Sequence, residues 1–406
     1  MGGVMREKAQ QIFRAGVAAA DPYQAVDRAL RADPVQCAGK LLVLAVGKAA
    51  MRMAQAAVAH VSGAEVIVIT NYENAKEVDF AEVFAAGHPV PDDGGARAAR
   101  HVITKLQALG RADQVLALIS GGGSALLPAP PAGISLQDKA EVNRLLLACG
   151  AEIGEMNLIR QQISDLKGGG LLRIAAPAKV RALILSDVVG DDLRRIASGP
   201  TVAPVGTREQ AVDLLKSYAV WDDLPASVQS HLSTPAPDLP PLPQAENQLV
   251  GSNPISVAAM KQAAGAATVH PEPLTGDVTQ AAKIVMKSGT GITLFGGETT
   301  VKLTGTGLGG RNQELALRVA LLAEQQGWGD EWVFLSGGTD GRDGPCDAAG
   351  GIVDGGTLKR IREAGVSPVD MLANNDSYHA LQAASDLLMT GATGTNVADL
   401  QVLIRR

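Results

Sequence analysis

The stretch Leu41-Leu42-Val43-Leu44-Ala45-Val46-Gly47-Lys48-Ala49-Ala50 decides the fold class. Six apolar residues run without a polar break, and then a glycine and a lysine open an alanine-rich segment. A continuous apolar run, unlike an alternating one, reads as a strand covered on both faces, as in a parallel sheet. Working outward, runs of the same kind occur at 66–70, 115–120 and 182–186. Helical patterns are predicted at 49–61, 94–109, 137–153 and 207–218. Strands that alternate with helices form βαβ units, so an open parallel sheet is the expected architecture.

From Ser233 to Gln244 the composition changes, with five prolines between Pro235 and Pro243. Such a stretch forms neither helix nor central strand and reads as a semi-rigid linker. The expected division is a first domain over 1–232, a linker over 233–244, and a second α/β region over 245–406. In that region strands are predicted at 249–252, 268–269, 292–295, 332–335 and 400–404, with an extra strand at 299–303 beside 292–295. Helices are predicted at 254–265, 278–287, 312–325 and 376–388.

Composition narrows the function. The net charge is −6 and aromatic residues make up 3% of the chain, so neither a basic field nor stacking platforms for nucleic acid are expected. No apolar stretch approaches the roughly 20 residues of a membrane helix, and no secretory leader is expected. Three cysteines without paired spacing argue against a disulfide framework and for a reducing cytoplasm. Glycine is in excess: 46 in 406 residues, where roughly 7% is average. The glycines cluster between apolar runs, where a backbone can approach a ligand closely.

Ligands of open α/β sheets bind in the loops beyond the carboxyl ends of the strands, and the glycine clusters fall there. Gly47-Lys48 is a candidate phosphate site with one positive charge. Ser120-Gly121-Gly122-Gly123-Ser124 ends a strand and can turn several N–H groups toward one anion. It is not a Walker A loop. Lys167 begins another glycine run and follows Arg160. A helix cap and an anion contact are equal readings of that segment. Asp187, Asp191 and Asp192 cluster at a strand end, where Mg²⁺-binding carboxylates are at home; the alternative is a capped turn. Gly296-Gly297-Glu298 joins two predicted strands, and Ser336–Gly344 carries Asp340, Arg342 and Asp343 as a candidate substrate or metal loop. Gly305, Gly307 and Gly310 satisfy GxGxxG before Arg311, which keeps a nicotinamide-dependent enzyme open as an alternative. No acidic residue ends a second strand at the required spacing, however. Of six histidines, His88 in Gly87-His88-Pro89 is the one to watch.

Taken in order, these blocks resemble the class II glycerate 2-kinase family, whose C-terminal part is the MOFRL domain. They include Gly47-Lys48-Ala49-Ala50, 86–92, 119–126, Glu155-Met156-Asn157, Lys167-Gly168-Gly169, 186–192 and 197–201. The second half adds 296–299, 309–314, 336–347, Asn375-Asp376-Ser377 and 390–400. The resemblance implies ATP- and Mg²⁺-dependent phosphorylation of D-glycerate at its 2-hydroxyl. It implies two α/β domains, the first a Rossmann-like open parallel sheet and the second a smaller mixed-sheet region with MOFRL at about 290–400. The active site is expected in the cleft between them. Lys48 and Arg311 fall on the family's leading catalytic positions. Ser120, Gly121, Gly122, Gly123, Ser124, Arg160, Lys167 and Asp340 are the candidate substrate- and phosphate-binding residues. Asp187, Asp191, Asp192 and Glu298 are the candidate metal ligands. The expected partners are D-glycerate and ATP, with a homodimer as the one macromolecular contact considered. Members have often been labelled hydroxypyruvate reductases. The chain departs from the family at Gly170, where arginine is common, at Cys346 in place of threonine, and at Glu73-Asn74. Those departures leave a related hydroxy acid open as substrate.

Overall fold

A computed structural model describes residues 2–406. The chain forms two compact units, Pro22–Val250 and a second built from Gly251–Arg406 together with the N-terminal residues through Asp21. This grouping differs from a division at the proline-rich stretch. That stretch belongs wholly to the first unit, where Arg173 donates to the Pro240 carbonyl at 2.8 Å and Leu242 packs on the unit's core.

The unit Pro22–Val250 carries a six-stranded sheet. Its strands are β1 (Leu41–Val46), β2 (Glu65–Asn71), β3 (Glu82–Ala86), β4 (Gln114–Ile119), β5 (Lys179–Leu185) and β6 (Glu246–Gly251). The order is β3-β2-β1-β4-β5-β6, and the pairs from β3 to β5 are parallel. The unbroken apolar runs are buried along their length, as the sequence pattern requires. The chain moves from β1 outward to β2 and β3, then returns to β4 on the other side of β1. The switch point of the sheet therefore lies between β1 and β4, where the loops of Lys48 and Ser120–Ser124 emerge. A separate helical layer, including Leu136–Ala148 and Ile153–Gln162, has its own apolar cluster around Leu146, Met156 and Ile159.

The other unit has a mixed sheet of β7 (Thr268–Val269), β8 (Leu274–Asp277), β9 (Gly291–Thr300), β10 (Trp332–Gly338), β11 (Gly350–Asp354), β12 (Leu387–Leu388) and β13 (Asp399–Arg405). Its order is β12-β11-β10-β13-β9-β7, with β8 also on β9. The central pairs are antiparallel and those of β7 and β8 with β9 are parallel. The expected strand at 299–303 is not separate: β9 runs on through Thr300 as one strand, because β8 extends its pairing to that residue. The helix Arg311–Gln325 packs on one face. The other face is covered by the N-terminal helix Gly2–Ala19, whose Met5, Ala9, Ile12 and Phe13 lie among Val333, Leu335, Leu400 and Val402. Their helical spacing explains why the first residues group with the last part of the chain, and burying Phe13 alone contributes about 1.5–3 kcal/mol. Among the described residues no helix is long and apolar enough to cross a membrane.

Candidate active site

In the unit Pro22–Val250, the β1 and β4 loops are tied together by backbone. The Lys48 N–H donates to the Gly121 carbonyl at 2.9 Å. Ser120 was a candidate ligand contact by position, but it is 1% exposed. Its hydroxyl accepts from the Ala49 N–H at 3.1 Å and donates to the Val46 carbonyl at 3.4 Å. Its side chain is therefore a tie between loops and is not available to substrate. Lys48 is exposed, and its carbonyl accepts from the Asn74 amide at 3.2 Å. Asn74 thus holds the lysine loop at one of the positions where this chain departs from the family pattern.

The glycines of the β4 loop make room for side chains. Gly122 has φ +87°, and a Cβ there would lie 3.1 Å from the His88 ring and 3.3 Å from Lys48 Cγ. A Cβ on Gly121 would strike the Asp187 carboxylate. Lys48, His88, Asp187 and this loop are thus one cluster. Burial, and then the charge of Lys48, lower the His88 pKa, which favours its neutral ring. Burial raises the Asp187 pKa, and Lys48 acts against that rise.

The remaining acidic candidates behave differently from one another. Asp191 sits at φ +52° with its Oδ1 buried and unpartnered. Asp192, expected as a metal ligand, instead gives both oxygens to Arg194, at 2.9 Å each. That hydrogen-bonded pair lowers its pKa. Glu298 lies in the other unit beside Arg311, at 3.3 Å. Among the described residues no group of three or more His, Cys, Asp or Glu side chains is placed to hold a metal ion.

Behind the β4 loop, Lys167 is 6% exposed. Its ammonium donates to the Ser124 carbonyl at 2.6 Å and the Ser124 hydroxyl at 2.8 Å. Ser124 in turn shares a hydrogen bond with Ser198 at 2.9 Å, and Ser198 donates to Asn157 at 3.1 Å. The turn Lys167–Gly169 is pinned by N–H bonds from Gly168 and Gly169 to the Ser198 and Gly199 carbonyls. Lys167 is therefore more than part of a helix cap. Arg160 donates to the Asn143 side chain, and Lys139 donates to the Ile163 carbonyl at 2.7 Å. Burial lowers the Lys139 pKa to about 8, with the charge of Arg160 adding to the effect. Burial, and then Lys139 and Arg160, depress Lys167 well below the ordinary lysine range. Lys139 carries no motif signal in the sequence, since it is one more lysine on a polar helix.

In the other unit, Arg311 opens its helix and is clamped by Asp399. Nε donates to Oδ2 at 2.6 Å and a terminal N–H donates to Oδ1 at 2.9 Å. The carboxylate is 0% exposed and the guanidinium is 33% exposed. Burial opposes the arginine's charge, but the Asp399 hydrogen bonds, its charge and that of Glu298 outweigh this and raise the Arg311 pKa. Asp399 was not singled out from the sequence, although it begins a strand at a block end, which was the available signal. Asp343 accepts the Asn312 and Gln313 N–H groups at 3.1 and 2.8 Å and so anchors the start of the Arg311 helix. Burial raises its pKa to about 6. Asp340 is exposed and accepts from the Arg342 N–H at 3.0 Å, which makes it the cap of its own turn. Cys346 is buried.

The GxGxxG glycines have a packing explanation. Side chains at Gly305, Gly307 and Gly310 would strike Asn374, Asp376 and Asp343 respectively. The strand that follows the Arg311 helix, β10, does not pair with β9, because the antiparallel β13 lies between them, unlike the adjacent parallel strands of a dinucleotide fingerprint. The nicotinamide alternative therefore loses its motif.

Comparison with known proteins fits this geometry. A domain of unknown function, DUF4147, matches residues 8–233, and the MOFRL family matches 291–399. The D-glycerate 2-kinase of Thermotoga maritima is 39% identical, covering 98% of this chain and 97% of its own. The glycerate 2-kinase of Pyrococcus horikoshii is 37% identical with the same two coverages. A crystal structure of the Thermotoga maritima glycerate kinase superposes with a TM-score of 0.93 at 36% identity and covers all of both chains. With DUF4147 and MOFRL in order and full-length likeness to these kinases, the chain belongs to the class II glycerate 2-kinase family.

Proposed function

We propose that the protein transfers the γ-phosphoryl group of ATP to the 2-hydroxyl of D-glycerate, giving 2-phosphoglycerate and ADP. The observation that carries this reading is the exposed Lys48 at the sheet's switch point, beside Asp187 and an open glycine loop. A loose phosphoryl-transfer transition state needs positioned charge rather than a protein nucleophile. Lys48 and Arg311 neutralise the charge that develops on the transferred group. Gly121, Gly122, Gly123 and Ser124 line the anion's approach, and Arg160 and Lys167 supply positive charge behind them. Asp340 contributes from its exposed turn to substrate contact.

Asp187 and Asp191 would hold Mg²⁺, which uses one or two carboxylates together with substrate phosphates. The unpartnered Asp191 Oδ1 supports that fit. When bound, the ion supplies charge neutralisation at the phosphates. Glu298 is better assigned to Arg311, its ion-pair partner. A reductase reading is not favoured, since its motif is accounted for by packing.

D-glycerate-dependent ADP release tests the reaction, with identification of the 2- or 3-phosphate product. NAD(P)H oxidation with hydroxypyruvate and no ATP turnover would overturn it. A panel of small hydroxy acids in the same assay reads the effect of Gly170, Cys346 and Asn74 on acceptor choice. We extend the reading to a cytoplasmic enzyme, supported by three free cysteines. We extend it also to a homodimer, which a molar mass from static light scattering checks.

A further inference from the structure

Within the unit Pro22–Val250 a cavity of about 360 Å³ lies between the helices Leu136–Ala148 and Ile153–Gln162 and the loops of Pro89–Pro91 and Ser124–Pro128. Four cations line it: Lys139, Arg144, Arg160 and Lys167. Arg144 is paired with Glu141 at 2.6 Å. Among the described residues none of Lys139, Arg160 and Lys167 makes an ion pair. Their hydrogen bonds go only to the Ile163 carbonyl, Asn143, and the carbonyl and hydroxyl of Ser124. Placing cations together away from water is costly unless an anion compensates them. Asp165 is near enough to act on Lys139 through its charge, but burial raises its own pKa and it does not pair with the lysine. Besides Asn143, Arg144 and Ser124, the wall is apolar, from Pro89, Val90, Pro91, Pro128, Leu136 and Leu147 among others. The cavity continues to Ser124, so it opens beside the glycine loop.

We propose that this cavity is the nucleotide subsite, taking the adenosine against its proline- and leucine-lined wall and the phosphates against Lys139, Arg160 and Lys167. The proposal rests on the kinase reading above and adds where one of the two substrates binds. The alternative occupant, D-glycerate, carries one charge and has no apolar surface to match the wall. A nucleoside di- or triphosphate has both parts, and its cost of binding is offset by the cations' mutual repulsion, already present in the free protein. Its phosphate end then reaches the Ser124 end of the loop, toward Lys48.

The test is calorimetric binding of ADP, and separately of pyrophosphate, to the full chain without D-glycerate. The variants are Lys139→Gln and Arg160→Gln, which keep a donor for the Ile163 carbonyl and for Asn143. The expected results are an ADP Kd raised at least about tenfold in each variant, from loss of a charge-assisted contact, and tighter binding of ADP than of pyrophosphate. In steady state the KM for ATP rises while that for D-glycerate stays within about twofold. An ADP Kd unchanged in both folded variants, no ADP binding by the parent, pyrophosphate binding as tightly as ADP, or a D-glycerate KM that rises in place of the ATP KM each overturns the proposal. If ADP binds and the variants weaken it while the parent shows no D-glycerate-dependent turnover, the subsite stands and the kinase reading falls. If turnover is present and ADP binding is indifferent to the variants, only the subsite falls.

Discussion

The two units handle positive charge in opposite ways. Around Ser124, Lys139, Arg160 and Lys167 share a cavity and none of the three pairs with a carboxylate, and burial and mutual repulsion lower the pKa of both lysines. At the head of the Arg311 helix, the single arginine is gripped by Asp399 and flanked by Glu298. Uncompensated cations gain most when an anion arrives, which suits binding. A guanidinium fixed by two hydrogen bonds gains little new attraction from substrate but needs no reorganisation, which suits transition-state stabilisation. On the function proposed above, the first region supplies affinity and the second rate.

The largest expected effect breaks the rate side. Arg311→Ala and Lys48→Ala should each lower kcat by about 10²–10³-fold, the scale of losing one preorganised charge-stabilising group, while thermal unfolding shows an intact fold. Near-parental kcat in a folded variant would remove that residue from the mechanism. A smaller loss, about 10–100-fold in kcat, is expected for Asp399→Asn, which leaves the arginine's charge but releases its orientation. Both KM values should stay close to the parent's. The double variant Arg311→Ala/Asp399→Asn should be no slower than Arg311→Ala alone, since Asp399 acts through Arg311. Additive losses in kcat would assign Asp399 a separate role.

How much of this could be read from sequence depends on what kind of signal each feature leaves. The parallel sheet was legible because β1, β2, β4 and β5 each contain an unbroken apolar run. Strand β3, Glu82–Ala86, lies at the sheet edge and is only partly buried, so it left no such run. The antiparallel β11, Gly350–Asp354, was hidden by its two leading glycines, which pack against the Ser336 carbonyl and Leu381. At the site, the glycine loops and Lys48 announced themselves by position. The partners of Ser120 and Asp192 were not visible: Ala49 and Val46 for one, Arg194 for the other. Lys139 and Asp399 owe their roles to tertiary neighbours, Arg160 and Arg311, and no local pattern marks such contacts.

A pH series sharpens the affinity side. Lys139 titrates near 8 in the folded protein against an ordinary 10.5. Above pH 8 the free protein loses this charge, so the KM for ATP should climb by up to about tenfold per pH unit, while that for D-glycerate does not follow. Lys139→Gln should flatten the rise. The unfolded chain keeps the proton up to about 10.5 and the fold only to about 8, so this residue's contribution to stability increases as pH rises between those values. An ATP KM that is level from pH 7 to 9.5 in the parent would show that Lys139 does not face the nucleotide.

The smallest effect concerns Gly170, where the family commonly has arginine and this chain has one positive charge fewer. A side chain there would strike the Asp165 carbonyl, and the turn between them carries Lys167, whose ammonium holds Ser124. Gly170→Ala should therefore cost about 1–3 kcal/mol, as overpacking does, or about 2–4 °C in Tm per kcal/mol for a unit of this size. Gly170→Arg should cost at least as much and should not tighten ATP binding, because opening the turn displaces Lys167 as it adds a charge. If Gly170→Arg keeps the parental Tm and lowers the ATP KM, the number of cations near the cavity limits affinity, and the tight turn is not what fixes Lys167 in place.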